Sequence, residues 1–321
     1  MRLFQFTIVA ALGLTGVGVA AVLVGEKYYR APGPLGMASN VVVPRGGVDA
    51  TAATLASAGV IGSQLAFKCA VIATASQGTL HAAEFAFPAH ASLANVIEIL
   101  RFGRPVQYRL TIAEGLTAAQ IATLLARADG LTGDVPVPAE GTVLPDTYQY
   151  ERGTSRRMML ARAQEAMTRD LTEAWAGRSS GLPLGSTYDA LILASIVERE
   201  AKLPAERAMI ARVFLNRLTQ GMRLQADPTT LYGASGGSGA LDRDLTHDDL
   251  AHGDAYNTYV VPALPAGPIC SPGPASIRAT LHPAAGDALY FVADGSGGHV
   301  FSATLAGHNA NVARWRGQRP Q

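Results

Sequence analysis

A helix without a polar face is the feature of this sequence that most constrains its fold. Residues 189–201 read DALILASIVEREA, and seven of the first nine are apolar, on every side of a helix. A helix that is apolar all round is stable only when other elements surround it. We therefore expect this helix at the centre of a folded domain, with charged residues appearing only at its carboxyl end.

Glu198, the first of those charged residues, is the strongest candidate for chemistry. It directly follows Ile196 and Val197. A carboxyl group between apolar walls resists ionisation, and a carboxyl that keeps its proton at neutral pH can act as a general acid. The alternative is a surface ion pair with Lys202, four residues further on. Glu200 points to another side of the helix, which favours a structural or supporting role.

The other segments alternate between helical and strand patterns, which predicts a mixed α+β protein. Ser92 and Thr117 stand where helix N-caps are expected, and Pro204 where a helix begins. Strands are predicted at 41–43, 79–87, 106–112, 256–259, 288–293 and 299–302, the last two as a hairpin; helices are predicted at 49–58, 61–73, 92–100, 117–125, 155–175, 204–221, 242–250 and 276–281.

The amino terminus predicts export. Residues 3–25 carry no charge. About 20 apolar residues are needed to span a bilayer, whereas the apolar part of a cleavable signal has only about 7–15. Ala20 and Ala21 leave cleavage open, but the length favours an uncleaved anchor at 1–25. A Pro- and Gly-containing linker follows at 26–39.

Several function classes lack the residues they need. A net charge of +1 argues against a nucleic-acid partner. The seven histidines are scattered, without metal-ligand spacing, and neither GxSxG nor a phosphate loop is present, so no metal or cofactor is predicted. Cys69 and Cys270 could form a disulfide after export; two unrelated buried thiols are the favoured interpretation.

Long blocks of the sequence resemble the endolytic murein transglycosylase (YceG-like) family. They appear in the family's order from about residue 41 to residue 315. The blocks are TIAEGLTAAQIATLLA (111–126), EGTVLPDTYQY (140–150), ASIVERE (194–200), VFLNRLTQGMRLQADPTTLYG (213–233), YNTY (256–259), ICSPGPASIRATLHPA (269–284), LYFVADGSGGHVFS (289–302) and HNANV (308–312).

The resemblance implies a membrane-anchored lyase. It would cut the β-1,4 bond between N-acetylmuramic acid and N-acetylglucosamine inside peptidoglycan strands and leave 1,6-anhydro ends, with Glu198 as acid and base. Residues 40–104 would form a LysM-like module and 105–321 the catalytic domain, in the periplasm, anchored in the inner membrane and working beside a peptidoglycan synthase. The implied substrate-cleft residues are Gln225, Asp227, Tyr256, Asn257 and Thr258, with Glu200 beside them.

Two other functions stay open at this point. One is a hydrolase that pairs Glu198 with Asp227 or Glu200. The other is a scaffold that binds peptidoglycan through the LysM-like module and has no catalytic activity.

Overall fold

The computed structural model describes residues 23–317, and the chain divides into two compact units, Met1–Tyr108 and Arg109–Gln321. The predicted anchor at 1–25 lies outside the described residues except for its last three. None of the helices within 23–317 combines the length and the apolar character that crossing a membrane requires. The roles predicted for the segments 26–39, 40–104 and 105–321 stay predictions.

The first unit is a small α+β fold. Strands β1 (Ser39–Val42) and β2 (Glu84–Phe87) pair antiparallel, with Ser39 opposite Phe87. Helices α1 (Gly47–Ser57) and α2 (Gln64–Ala73) connect them, and α3 (Leu93–Phe102) follows. Buried side chains from all of these elements share one apolar core, which includes Leu55, Phe67, Phe85 and Ile97.

Two predictions for this unit have different outcomes. Ser92 caps α3, because its side chain accepts from the Asn95 backbone while Asn95 reaches back. The predicted strand at 79–87 is too long, since only its last four residues pair with β1. The residues before them lie along α3, where the His81 backbone N–H donates to the Leu100 carbonyl oxygen at 2.8 Å.

The second unit is mainly helical. Strand β3 (Gln107–Thr111) begins just before the division and pairs with β4 (Thr147–Glu151). The hairpin β5 (Tyr290–Ala293) and β6 (His299–Ser302) forms as predicted. The helices are α4 (Ala118–Arg127), α5 (Arg156–Ala176), α6 (Thr187–Glu200), α7 (Arg207–Thr219), α8 (Asp227–Ala234), α9 (His247–Ala251), α10 (Pro274–Leu281) and α11 (Leu305–Gly317).

Helix α6 occupies the centre of the second unit, which confirms the expectation from its sequence. Every residue from Ala190 to Val197 is buried. Helices α5, α7 and α10 pack around it. Burying one large aliphatic side chain contributes about 1.5–3 kcal/mol, so α6 is a principal source of stability for this unit.

Three local predictions need correction. Residues 256–259 form turns and not a strand, because the Asn257 side chain accepts from the Tyr259 backbone N–H and closes a tight turn. Pro204 begins a short 3-10 turn, and α7 starts only at Arg207. Cys69 and Cys270 are both free thiols, but Cys69 is exposed and only Cys270 is buried.

Candidate active site

Glu198 lies in the last turn of α6 with 6% of its side chain exposed. Its Oε2 accepts a hydrogen bond from the Gly273 backbone N–H at 2.9 Å, and its Oε1 lies 3.4 Å from Arg207 Nη2. The expectation of purely apolar surroundings is therefore wrong, because two donors reach the carboxyl group. Among the described residues, Glu198 forms no ion pair with Lys202. The alternative of a surface ion pair between them is therefore wrong.

Arg207 connects Glu198 to a second carboxylate. It is the first residue of α7, and its Nη2 lies 3.4 Å from Glu114 Oε2 as well as from Glu198. Its Nε donates to Ser276 Oγ at 3.1 Å, which fixes the plane of the guanidinium. The Arg207 side chain is 14% exposed and that of Glu114 is 42% exposed. One guanidinium nitrogen thus contacts both an enclosed carboxylate and a solvent-accessible one.

The loop 269–273 delivers the donor to Glu198. Ser195 anchors it from inside α6, accepting from the Ile269 backbone N–H at 3.0 Å. Ser271 then pairs with the turn after β3: its carbonyl oxygen accepts from the Gly115 N–H at 2.9 Å, and its N–H donates to the Leu116 carbonyl oxygen at 2.8 Å. The loop and the turn therefore hold each other beside the end of α6.

Glycines allow the close approach of these two segments. A Cβ on Gly273 would overlap the carboxyl group of Glu114. Gly115 has φ +77°, a left-handed conformation that favours glycine, and a Cβ there would touch the Glu198 side chain at 3.8 Å. Gly273 is thus restricted by the side chain that lies against it and Gly115 by its backbone conformation, and both glycines lie beside Glu198 or its partners.

Glu200 belongs to a separate group of charges on another side of α6. Burial and the Asp227 carboxylate raise the pKa of Glu200, Arg217 and Lys202 lower it, and the net result is a pKa of about 7. Tyr259 Oη donates to Asp227 Oδ1 at 2.6 Å. Burial and this hydrogen bond raise the pKa of Tyr259. None of these residues contacts Glu198, Glu114 or Arg207 through a hydrogen bond or ion pair in the described structure.

Asn257 and Thr258 are buried, and their hydrogen-bonding groups are already used. Asn257 Nδ2 donates to the backbone carbonyls of residues 249, 250 and 252, and its Oδ1 accepts from Thr230 Oγ1 and the Tyr259 N–H. Thr258 Oγ1 accepts from the Ala226 N–H at 2.9 Å and lies 2.8 Å from Thr229 Oγ1. The polar groups of both side chains therefore have hydrogen-bond partners within the chain, and the substrate-cleft role predicted for them stays a prediction.

Gln225 and Tyr256 remain accessible. Gln225 is exposed and has φ +48°, which costs energy for a residue other than glycine and is a feature often found at functional sites. The half-buried Tyr256 ring packs 4.8 Å from that of Tyr232. Tyr232 Oη in turn donates to Glu140 Oε2 at 2.9 Å, and burial raises the pKa of Glu140. Of the predicted cleft residues, Gln225, Asp227 and Tyr256 keep surface that a ligand could reach.

The sequence interpretation missed Glu114, Arg207 and Gly273. Glu114 lies between the predicted strand at 106–112 and the predicted helix at 117–125, and Arg207 lies within the helix predicted at 204–221. Single charged residues between elements and near helix starts are common, so no sequence pattern identifies Glu114 and Arg207 as site residues. The Pro-rich segment 262–274, which contains Gly273, can form neither a helix nor a central strand, but its sequence does not show that it reaches Glu198.

Comparison with known proteins shows the family to which this chain belongs. The sequence profile of the YceG-like family matches residues 41–314, which includes both units. The chain belongs to the YceG-like family. A Bacillus subtilis relative named endolytic murein transglycosylase is 31% identical, over 84% of this chain and 82% of the relative. A Streptococcus pneumoniae protein of the same name is 33% identical, over 54% of this chain and 32% of its own length.

A solved structure agrees with this YceG-like assignment. The 2.6 Å crystal structure of a putative YceG-like protein from Listeria monocytogenes matches with a TM-score of 0.53 and 28% identity, covering 85% of this chain and 98% of that one. The mixed α+β class predicted from the sequence is therefore confirmed, and so is the resemblance to the family.

Proposed function

We propose that this YceG-like protein is a peptidoglycan lytic transglycosylase that cuts glycan strands internally and leaves 1,6-anhydro-muramyl ends. Membership of the family and the name of its Bacillus relative support the enzyme class. The observation that carries the proposal is the placement of Glu198, an enclosed carboxyl at the end of the central helix, fixed by donors from two other segments.

The hydrogen bonds of Glu198 assign separate tasks to its two oxygens. Because the Gly273 N–H donates to Oε2, that oxygen acts as an acceptor whether or not the carboxyl carries a proton. Proton exchange therefore uses Oε1. Its contact with Arg207 is long, at 3.4 Å, so a sugar oxygen can replace it at little cost.

One carboxyl group is sufficient for the reaction that we propose. Protonated Glu198 gives its proton to the glycosidic oxygen, and the bond from that oxygen to C1 of the muramyl sugar breaks. The resulting carboxylate takes the proton of the 6-hydroxyl of the same sugar, and the hydroxyl oxygen forms the new bond to C1. The proton count is balanced and no water is consumed, so an anhydro ring forms and Glu198 regains its proton.

The geometry gives less support to a hydrolase that uses Asp227 or Glu200 as its second carboxylate. Asp227 accepts a hydrogen bond from Tyr259, and Glu200 belongs to the same group of charges, which makes no hydrogen bond or ion pair with Glu198 in the described structure. Hydrolysis would also need a water molecule held beside the sugar by the second group. Mass analysis of the strand ends separates the two reactions, because a hydrolysed end contains one more water than an anhydro end.

Substitution of Glu198 distinguishes the enzyme from a scaffold. The purified full-length chain, in detergent, is incubated with uncrosslinked glycan strands. Glu198→Gln keeps the size of the side chain and its contact with Gly273 but cannot supply the proton. We expect loss of new ends with strand binding retained. A Glu198→Gln chain that still cuts strands would contradict the catalytic assignment.

The remaining parts of the proposal concern location and partners. The uncharged run at 3–25 supports a single inner-membrane anchor with the catalytic domain, 105–321, in the periplasm. The strand–helix–helix–strand order of the first unit supports a LysM-like module at 40–104. Internal cleavage of new strands would end their elongation, which makes a peptidoglycan synthase the expected partner.

A further inference from the structure

A cleft of about 450 Å³ in the first unit carries positive charge without a compensating carboxylate. It is bounded by the loop from β1 to α1 and by residues 75–82, which lead to β2. Among the residues that line it are Arg45, His81 and Arg101, and none is an aspartate or a glutamate. No residue of the proposed catalytic site takes part in it.

Arg101 is the buried charge of this cleft, with only 4% of its surface exposed. Nη1 donates to Gln77 Oε1 at 3.2 Å and Nη2 to the Val71 carbonyl oxygen at 3.4 Å, while Nε has no partner. Among the described residues Arg101 forms no ion pair, and Glu98, one turn earlier on α3, is exposed and does not reach it. A buried guanidinium without a carboxylate is costly, and an anion would relieve that cost.

The amino terminus of α1, which carries a partial positive charge, lies at the same cleft. Its first residues, from Gly46 to Val48, line the cleft, and Gly46 provides no side chain to cap the free N–H groups. Such a helix end favours a bound anion. The acidic residue of the first turn, Asp49, does not line the cleft and is paired with Lys68 of α2. The amino terminus of α1 and the buried Arg101 guanidinium are independent features, and both favour a negatively charged ligand.

We propose that this cleft binds a carboxylate-bearing ligand and, resting on the proposed function, that this ligand is the free carboxyl group of a peptidoglycan peptide stem. The concave shape suits a single group that enters between the loops, and apolar lining such as Val71 and Leu80 suits the short side chains of a peptide. A neutral sugar would leave Arg101 uncompensated. The module therefore distinguishes strands that carry stems from bare strands.

The test measures binding of three forms of one preparation of uncrosslinked strands to the full-length chain in detergent. The forms carry intact stems, stems whose carboxyl groups are converted to carboxamides, or no stems, with the lactyl carboxyl groups exposed by stem removal also converted to carboxamides. All proteins carry Glu198→Gln so that the strands stay intact. Arg101→Met removes the buried charge, Arg45→Gln removes a charge at the exposed rim without affecting the core, and Arg104→Gln is the control at an exposed arginine outside the cleft.

We expect intact stems to bind roughly tenfold more tightly than carboxamide stems or bare strands, since charged hydrogen bonds are the stronger ones. Arg101→Met should remove that preference and Arg45→Gln should reduce it, while Arg104→Gln keeps it. Equal binding of all three forms, or a preference that both Arg101→Met and Arg45→Gln retain, would overturn the proposal. Arg101-dependent binding to phosphatidylglycerol vesicles that exceeds binding to stems would also overturn it, by assigning the site to a lipid phosphate.

The outcome is separable from that of the proposed function. Binding is measured without turnover, whereas the function is judged from anhydro ends made by the chain with Glu198 in place. A stem preference that depends on Arg101, found together with hydrolytic ends, would support the cleft and reject the lyase. Anhydro ends without any stem preference would support the lyase and reject the proposal for the cleft.

Discussion

At the scale of single residues, the position of Glu198 depends on groups that are distant in sequence. Gly273 and Arg207 each donate to a different oxygen of its carboxyl group, and Glu114 contacts the same Arg207 Nη2. Burial alone, which the sequence suggested, would leave the carboxyl free to rotate. In the proposed reaction these donors define which oxygen exchanges the proton, so small shifts in them should affect rate more than stability.

Gly273→Ala tests that dependence. The new Cβ would overlap the Glu114 carboxyl group, so either Glu114 moves away from Arg207 or the loop moves its N–H away from Glu198. We expect a fall of about 10–100-fold in the rate of strand cleavage, because misplacement by about 1 Å can cost that much. Gly253→Ala is the matched control, since nothing lies within 4 Å of its Cβ position. Equal rates for the two variants would contradict the role given to Gly273.

Glu200 predicts a pH-dependent change in stability. Its pKa rises from an ordinary value of 4.5 to about 7 in the folded chain. The folded state therefore holds the proton more tightly than the unfolded state, and stability contributed by Glu200 falls as pH rises from 4.5 to 7, then stays constant. Glu200→Gln removes this loss.

Chemical unfolding at several pH values measures the effect. Relative to the parent chain, Glu200→Gln should have about the same free energy of unfolding at pH 4 and gain about 1–3 kcal/mol by pH 8. A difference between the two chains that does not change with pH would show that Glu200 is not held protonated by its surroundings.

At the scale of elements, the central helix also positions the loop beside the site. Ser195 Oγ donates to the Ile192 carbonyl oxygen of α6 and accepts from the Ile269 N–H of the loop that ends at Gly273. A polar side chain in the middle of an otherwise apolar run is thus the link between the core and the donor to Glu198.

Ser195→Ala should damage both stability and activity. It leaves the buried Ile269 N–H without an acceptor, which costs about 1–3 kcal/mol, and it frees the loop. Thr280→Val is the control, because Thr280 Oγ1 is buried without a partner in the described structure and its loss should be neutral or stabilising. Thermal unfolding and cleavage rate are measured for both. A Ser195→Ala chain as stable as Thr280→Val would reject the link.

The sequence was sufficient for elements whose signal is local. The apolar run of α6, the caps Ser92 and Thr117, and the 290–302 hairpin all follow from short-range patterns. Residues 256–259 were read as a strand because two tyrosines alternate with polar residues, whereas the Asn257 side chain organises turns there. Helix α8 was missed because its amphipathic pattern is weak. The arrangement around Glu198 includes contacts between residues 75 and 93 positions apart, which no periodicity records.

At the scale of the whole molecule, each unit contains one cysteine in a different environment. Cys69 is exposed and Cys270 is fully buried, with burial raising the pKa of its thiol. Under native conditions an alkylating reagent should therefore modify Cys69 rapidly and Cys270 only after the second unit unfolds. Peptide mass mapping over a denaturant series gives both rates. Equal rates in the native chain would contradict the packing of the second unit, and protection of both until reduction would indicate a disulfide.

The family match spans both units, and we propose that the first recognises substrate while the second cleaves it. The central claim is that the attacking hydroxyl comes from the sugar and that Glu198 alone handles its proton. The most direct measurement is strand cleavage in water labelled with heavy oxygen, followed by mass analysis of the new ends. We predict anhydro ends without label, and none with Glu198→Gln; labelled reducing ends from the parent chain would contradict the account.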